Sequence, residues 1–292
     1  MLLRKLLPAP LLGALTGTFL AVNTVLTFSL MIPFALLKLV IPGSRAFADG
    51  ALNGLAGSWV GRNNAWIAAV CATEWDVQGV EGLNLRGWYL VSPNHRSWVD
   101  ILVLQRVFHR RIPFLKFFLK QELIWVPVIG LAWWALDFPF MKRGRSAGAH
   151  ASDLETTRKA CEKFKTIPTT VINFVEGTRF TEAKKAQQKS PYKHLLRPKV
   201  GALGIALATM GEQFEALLDV TLAYPDGTPT FWQLLSGHCG RVVVRVQRRE
   251  IPADVVGGNP MTDKVQRNRI SGWIEGQWVE KDELIEQLVR RD

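Results

Sequence analysis

The sequence predicts an α/β fold: a sheet covered on both faces by helices and preceded by an apolar helix pair. Three observations carry that prediction. Beyond residue 75, short β-branched runs alternate with helical patterns, as in a sheet with helices on its faces. From Leu6 to Leu37 no side chain is charged, a run longer than the ~20 residues a bilayer span requires. Over 292 residues, 48% hydrophobic and 21% charged side chains supply a sizeable core and exclude disordered and collagen-like classes.

Residues 1–45 read as a retained membrane anchor. A cleaved signal peptide has a shorter apolar core ending at a small-residue site, whereas this run continues well past Ala21. It fits one tilted span, or a helix with an interfacial end near Pro33. Arg4 and Lys5 precede the run while Lys38 and Arg45 follow it, so charge asymmetry does not orient it. Residues 46–72 read as a second membrane-associated helix. Gly50, Gly54, Gly57 and Gly61 fall on one stripe of that helix, where another backbone can approach closely. Trp59 and Trp66, seven apart, suit a membrane interface.

Residues 73–292 read as the α/β domain. Asp76 to Gly79 and Gly87 to Val91 form a hairpin or open two strands, and Ser92-Pro93-Asn94 ends the second. Trp98 to Phe108 is helix-like. Phe114 to Met141 is apolar but broken by Lys116, Lys120, Glu122, Pro127, Gly130 and Asp137. Asp153 to Phe164 reads as an amphipathic helix and Thr169 to Val175 as a buried strand. Lys199 to Met210 is a helix, Leu217 to Ala223 and Arg241 to Gln247 are strands, and Ile270 to Arg290 closes the chain as a helix.

The charge is basic and uneven. Lys and Arg total 36 against 25 acids, and residues 141–200 alone hold 14 Lys or Arg against five Asp or Glu. Such a surplus favours anionic partners. Cys71, Cys161 and Cys239 form no Cys-x-x-Cys pair, and the five histidines form no His-x-x-x-His pair. Neither a disulfide framework nor a metal site is expected.

Two short motifs carry chemistry. In Asn94-His95-Arg96-Ser97-Trp98-Val99-Asp100, a histidine follows a strand-ending turn and an aspartate lies five residues on. Positions i and i+5 of one helix point apart, but helical side chains lean toward the N-terminus. Asp100 in a helix can then reach back to His95 on the turn. One ring nitrogen is held and the other is free to take a proton, a task suited to a group that titrates near ~6.5. No Gly-x-Ser-x-Gly elbow is present, and Ser97 is too near in sequence to act as nucleophile. The pair therefore points to activation of a substrate hydroxyl. A bare His-x4-Asp also fits a helix-start histidine beside an unrelated aspartate.

In Phe174-Val175-Glu176-Gly177-Thr178-Arg179 an apolar strand ends where α/β sheets place ligands. Gly177 lets backbone approach a ligand, Thr178 adds a donor, and Arg179 can grip a phosphate. Glu176 can orient Arg179 or accept from a polyol. An ordinary turn with an ion pair gives the same pattern.

Together, about 80 residues apart and in this order, the two motifs resemble those of the glycerolipid acyltransferases, the PlsC-like 1-acylglycerol-3-phosphate acyltransferase family. Phe138-Pro139-Phe140-Met141-Lys142-Arg143 resembles a third family block. Thr181-Glu182, Leu196-Arg197-Pro198-Lys199, Asp219-Val220-Thr221 and Trp278-Val279-Glu280-Lys281-Asp282 resemble the branch that holds the lysocardiolipin-type acyltransferases and bacterial YihG. The likeness runs from about residue 75 to the end. It departs in the fourth block, where Leu218-Asp219-Val220 stands in place of a proline after two β-branched residues. That bears on the acceptor rather than on the chemistry.

The resemblance implies a glycerolipid acyltransferase fold with a mostly parallel sheet, and catalysis by His95 and Asp100. His95 takes the proton of a lysophospholipid hydroxyl, which attacks an acyl thioester of coenzyme A or acyl carrier protein without an acyl-enzyme. Asn94, Arg96, Ser97, Arg143, Glu176, Gly177, Thr178 and Arg179 are the implied substrate-binding residues. Acyl-CoA or acyl-ACP is a co-substrate, so no cofactor is implied. The expected acceptor is 1-acyl-sn-glycerol-3-phosphate, giving phosphatidic acid, with another lysophospholipid or lyso-aminolipid as the alternative. Phe114 to Met141 is a candidate wall for the acyl chain. The expected location is the bacterial inner membrane, among its lipids, with the catalytic domain facing the cytoplasm where acyl-CoA is supplied.

Other classes fit less well. The basic residues join no nucleic-acid reading motif, so no nucleic-acid partner is expected. A tethered anionic-ligand-binding protein without turnover and a thioesterase remain distinguishable by experiment.

Overall fold

The computed structural model describes residues 6–117, 119–126, 129–138, 140–141, 164, 167–260 and 262–290. The expected helix over residues 153–164 lies outside them, apart from Phe164, as do Arg143 and Cys161.

Helix α1 (Ala9–Val40) and helix α2 (Arg45–Val70), joined by a short 3-10 turn, form an antiparallel hairpin. The uncharged run makes α1 long and apolar enough to cross a membrane by length and composition, with a mean hydropathy of 2.0. It continues through Pro33 to Val40 rather than ending there. Polar side chains stitch the pair: Asn23 donates to Asn63 at 2.7 Å, and Arg62 donates to Asn23 and Thr27 at 2.6 Å each. The expected tryptophans turn inward to α1. The Trp59 indole donates to Thr24, the Trp66 indole to Thr16, and Trp66 stacks on Phe19.

The glycine stripe is not the α1 contact. A Cβ at Gly50, Gly54 or Gly57 would meet nothing within 4 Å, and Gly61 faces the His109 ring. Bulkier residues such as Leu52 and Ala56 fill the α1–α2 seam with Phe28 and Met31, and the glycines are left on another face. Nor is the hairpin a detached anchor. Leu12, Ile67 and Val70 share one buried cluster with Tyr89, Val91 and Val103 of the α/β region.

The sheet order is β1 (Glu74–Gln78), β8 (Arg241–Arg249), β7 (Ala216–Ala223), β2 (Tyr89–Pro93), β6 (Thr170–Ile172), β3 (Leu115–Phe117). Every pair is parallel except β7 with β8. A hairpin of β1 with β2 does not form, because β8 and β7 lie between them. Two residues of Phe114 to Met141 on each side make a small second sheet, β4 (Leu119–Lys120) with β5 (Phe140–Met141). Strand β2 runs through Ser92 and Pro93, in register with Asp219 and Val220 of β7. Pro93 brings no N–H to the ladder and stands at the last residue of the strand. Strand β6 is shorter than expected because the chain turns at Phe174, whose carbonyl accepts from the Gly177 N–H.

Helix α3 (Val99–Phe108) follows β2, α4 (Ile129–Ala135) precedes β5, α5 (Glu182–Gln188) and α6 (Gly201–Met210) follow β6, and α7 (Phe231–Leu235) precedes β8. The closing helix α8 (Lys264–Val289) begins six residues earlier than the apolar pattern suggests. Asp263 caps it by accepting from the N–H groups of Val265 and Gln266, which satisfies donors left open at a helix start. The sheet's two faces carry separate cores. One is built with α3 and the hairpin, the other with α6 and α8.

Candidate active site

Strands β2, β6 and β7 are parallel neighbours, so their C-terminal ends share one edge of the sheet. Both motifs lie there, the usual ligand edge of an α/β sheet. The His95 N–H donates to Glu176 Oε1 at 2.7 Å, and the Phe180 N–H donates to the His95 carbonyl at 2.8 Å. Two segments 81 residues apart are thereby fastened side by side.

His95 Nδ1 lies 2.8 Å from Asp100 Oδ2. The Arg96 and Ser97 N–H groups donate to the same oxygen at 2.6 and 2.9 Å. Asp100 is fully buried at the first turn of α3, where helix N–H groups favour a carboxylate. Its other oxygen accepts from the Tyr224 hydroxyl at 2.5 Å. The His95 ring stacks on Phe174 with centroids 4.1 Å apart and keeps 13% of its side-chain surface open. With Nδ1 held by Asp100, Nε2 is left to exchange a proton.

Glu176 is not the ligand-facing carboxylate the sequence suggests. It is 0% exposed, and its second oxygen accepts from the Leu196 N–H at 2.9 Å. Burial pushes its carboxyl up to about 7, while its two N–H donors pull the other way. It joins three loops and neither orients Arg179 nor meets a polyol in this arrangement.

Three other expected substrate contacts are also turned inward. Asn94 is buried, with its amide bonded both ways to Leu222, donating at 2.9 Å and accepting at 2.7 Å. It prolongs the β2–β7 ladder past Pro93. Ser97 donates its hydroxyl to the Pro229 carbonyl at 2.5 Å. Arg96 donates to the His194 carbonyl at 2.9 Å and lies over the Phe180 ring. These polar groups would be costly to bury unpaired, and the backbone supplies their partners.

Gly177 and Arg179 remain on the open side with Thr178. Gly177 is exposed at φ +69°, a left-handed conformation that glycine adopts without a Cβ penalty. The Arg179 guanidinium lies over the Trp98 ring, 4.7 Å from its centroid. The Thr178 hydroxyl accepts from Lys184 Nζ at 2.8 Å, which brings a further cation to this loop.

Trp98 also lines an apolar cavity of about 510 Å³, with Leu20 and Thr24 of α1, Trp59 of α2, Ile101 of α3 and Phe231 of α7. Among the described residues of the stretch Phe114 to Met141, Ile129 alone lines this cavity. Phe114, Ala132, Ala135, Leu136 and Phe138 instead pack against α1 and α2. The walls of the apolar space therefore come mainly from the hairpin and α3.

Two groups beneath the loops escaped the sequence reading. Lys281 of α8 is buried. It donates to the Ser92 and Val220 carbonyls at 2.8 and 3.0 Å and pairs with Asp219 at 2.6 Å. Burial pulls its ammonium below the usual lysine range, against the attraction of Asp219. The signal was a lysine on the apolar stripe that runs through Ile274, Trp278 and Ile285. Tyr224, directly after β7, carried no such signal. Among the described residues, no group of three His, Cys, Asp or Glu is placed to hold a metal.

A family model described as Acyltransferase matches residues 74–225. The chain is 28% identical over 218 residues to 1-acyl-sn-glycerol-3-phosphate acyltransferase 3 of Arabidopsis thaliana, covering 70% of this chain and 54% of that one. It is 27% identical over 217 residues to 1-acyl-sn-glycerol-3-phosphate acyltransferase delta of Mus musculus, covering 69% and 53%. The chain thus spans about half the length of the curated relatives it matches. Among solved structures it is similar to the 1-acyl-sn-glycerophosphate acyltransferase PlsC from Thermotoga maritima, with a TM-score of 0.55 and 20% identity over 94% of this chain and 97% of that one. That likeness speaks to the fold.

Proposed function

The chain belongs to the acyltransferase family whose model covers residues 74–225, and from that premise we propose that it is a membrane-bound 1-acylglycerol-3-phosphate O-acyltransferase. It moves a fatty acyl group from acyl-CoA or acyl-ACP to the sn-2 hydroxyl of 1-acyl-sn-glycerol-3-phosphate, giving phosphatidic acid. The observation that carries this reading is the His95–Asp100 contact at 2.8 Å, beside the Arg179 loop.

In the proposed reaction, His95 Nε2 takes the acceptor's hydroxyl proton as that oxygen attacks the thioester carbonyl. Asp100 stabilises the imidazolium that forms. The tetrahedral adduct collapses, the C–S bond breaks, and the imidazolium returns its proton to the leaving thiolate. Ester and free thiol are the products, and no side chain is acylated. The Ser97 hydroxyl is committed to Pro229, which agrees with a route lacking a serine nucleophile.

Arg179 grips the acceptor phosphate with charge-assisted bonds, assisted by Lys184. Arg143, expected to join them, lies outside the described residues. The cavity between the hairpin and α3 takes an acyl chain. The apolar α1 helix keeps the site at the membrane that supplies lipid acceptors, and the catalytic domain faces the cytoplasm, where acyl thioesters are made.

The test is purified protein in detergent, given labelled acyl-CoA or acyl-ACP and a panel of lysolipids, with products read by mass spectrometry. Phosphatidic acid from lysophosphatidic acid, lost in His95→Ala with membrane localisation retained, is the expected result. Transfer to a different lysolipid would reassign the acceptor toward the lysocardiolipin-type branch. Thiol release independent of any acceptor would make the protein a thioesterase. No turnover would leave an anionic-ligand-binding protein.

A further inference from the structure

We propose that Tyr224 is a positioning residue of the catalytic pair, holding one oxygen of Asp100 so that the other stays on the His95 ring with a moderated pull on its proton. The inference rests on the acyl-transfer reading of His95.

The geometry is a relay of named atoms. Asp100 Oδ2 accepts from the Arg96 and Ser97 N–H groups and meets His95 Nδ1. Oδ1 accepts from Tyr224 Oη at 2.5 Å, the one donor to that oxygen among the described residues. Without it a fully buried carboxylate oxygen would lack a partner, and the carboxylate could rotate away from the ring. Tyr224 is itself 6% exposed. Burial and the adjacent Asp100 charge raise its phenol well above 10, so it stays protonated and donates.

The register that delivers Tyr224 is set two residues earlier. Asn94, next to His95, bonds both backbone groups of Leu222. Side chains at 222 and 224 of an extended segment point the same way. The residue before the base therefore fixes where the tyrosine meets the acid. This gives Asn94 a task that does not involve substrate.

A donor on a carboxylate withdraws charge from it and weakens its pull on a neighbouring imidazolium proton. The other ionisable groups facing this cluster are Arg96 on the same loop, Glu176 and Glu182 from the β6–α5 segment, and Cys239 ahead of β8. All of them remain in a Tyr224→Phe variant, so a change in His95 behaviour reports the missing hydroxyl.

The experiment follows the His95 ring by 15N NMR in full-length protein in detergent, its signal assigned by its disappearance in His95→Gln. In Tyr224→Phe the ring's titration midpoint is expected to rise by ~0.5–1 pH unit. The acid limb of the acyl-transfer profile should move up equally, with kcat down ~10-fold and KM for lysophospholipid within ~2-fold. A merely structural tyrosine would lower the folded fraction and leave the midpoint in place, and that result overturns the proposal. Should Tyr224→Phe not fold, 3-fluorotyrosine at 224 keeps the shape and strengthens the donor. The midpoint should then fall, and an unmoved midpoint again overturns the proposal. The ring titration needs no substrate. Wild-type protein that transfers no acyl group would sink the acyl-transfer reading while leaving the Tyr224–Asp100–His95 coupling separately decided.

Discussion

The carboxylate of Glu176 accepts the backbone N–H of His95 at 2.7 Å, so the acid of the second motif holds the histidine of the first. One buried side chain makes a single site of two loops. Its remaining oxygen, on the Leu196 N–H, brings in the segment ahead of α6.

Glu176→Gln should loosen that junction. One carboxylate oxygen becomes an NH₂ facing an N–H donor, and an unsatisfied buried group costs ~1–3 kcal/mol. We expect a lower unfolding midpoint and a fall in kcat, measured by denaturant unfolding and acyl-transfer assays. The pH dependence has a definite sign. The folded carboxyl is raised from 4.5 to about 7, so its contribution is fully present below 4.5 and is lost as pH rises through about 7. The wild type should lose stability across that window relative to its own value at low pH, and Glu176→Gln should show a flatter profile.

Trp98→Ala should act on binding more than on chemistry. The ring supports the Arg179 guanidinium and walls the apolar cavity. A cation over an exposed ring is worth ~0.5–1 kcal/mol. KM for lysophospholipid should therefore rise several-fold with kcat nearly unchanged, and the preference among acyl chain lengths should broaden. Steady-state kinetics over a chain-length series decides it.

Lys281→Met should be strongly destabilising. Removing one member of a buried pair typically costs ~3–5 kcal/mol, because the other charge is left uncompensated. The partial compensation from Arg249, 3.6 Å from Asp219, should place the loss at the lower end. Lys281→Met with Asp219→Leu should recover much of the stability. The double-mutant cycle, read by chemical denaturation, measures the coupling, and additive losses would contradict it.

Acidification should weaken the hold of α8 on the segment carrying Lys193 and His194, whose backbone N–H groups also donate to Asp282 at 2.7 Å each. Hydrogen bonds from Lys193, His194 and Arg290 hold Glu286 down to about 2. Its contribution is present above the ordinary 4.5 and is lost as pH falls toward about 2. Hydrogen exchange over residues 189–197 should speed up across that interval, and Glu286→Gln should exchange fast throughout.

The motifs were legible because each sets particular residue types at short range. His95 and Asp100 lie five apart, and a strand-ending turn followed by a helix is a local pattern. Strands β7 and β8 were legible because a short apolar run and an alternating run are likewise local patterns. Asn94, Arg96, Ser97 and Glu176 bond the protein's own backbone, which the sequence did not foretell because a polar side chain in a motif looks alike whether it faces a ligand or a backbone group. Which of these it faces depends on chain that lies 20 to 132 residues away.

The sequence alone determined the uncharged N-terminal run, the alternation of strand and helix, and the pairing of His95 with Asp100 ahead of a basic loop, since each is written in local spacing. Tertiary structure alone decided that Glu176 bonds His95, that Tyr224 completes Asp100, that Lys281 reaches beneath two strands, and that the apolar cavity is walled by the hairpin. Those are long-range pairings, and the cost of burying an unpaired polar group selects them only once the sheet has brought its strand ends together.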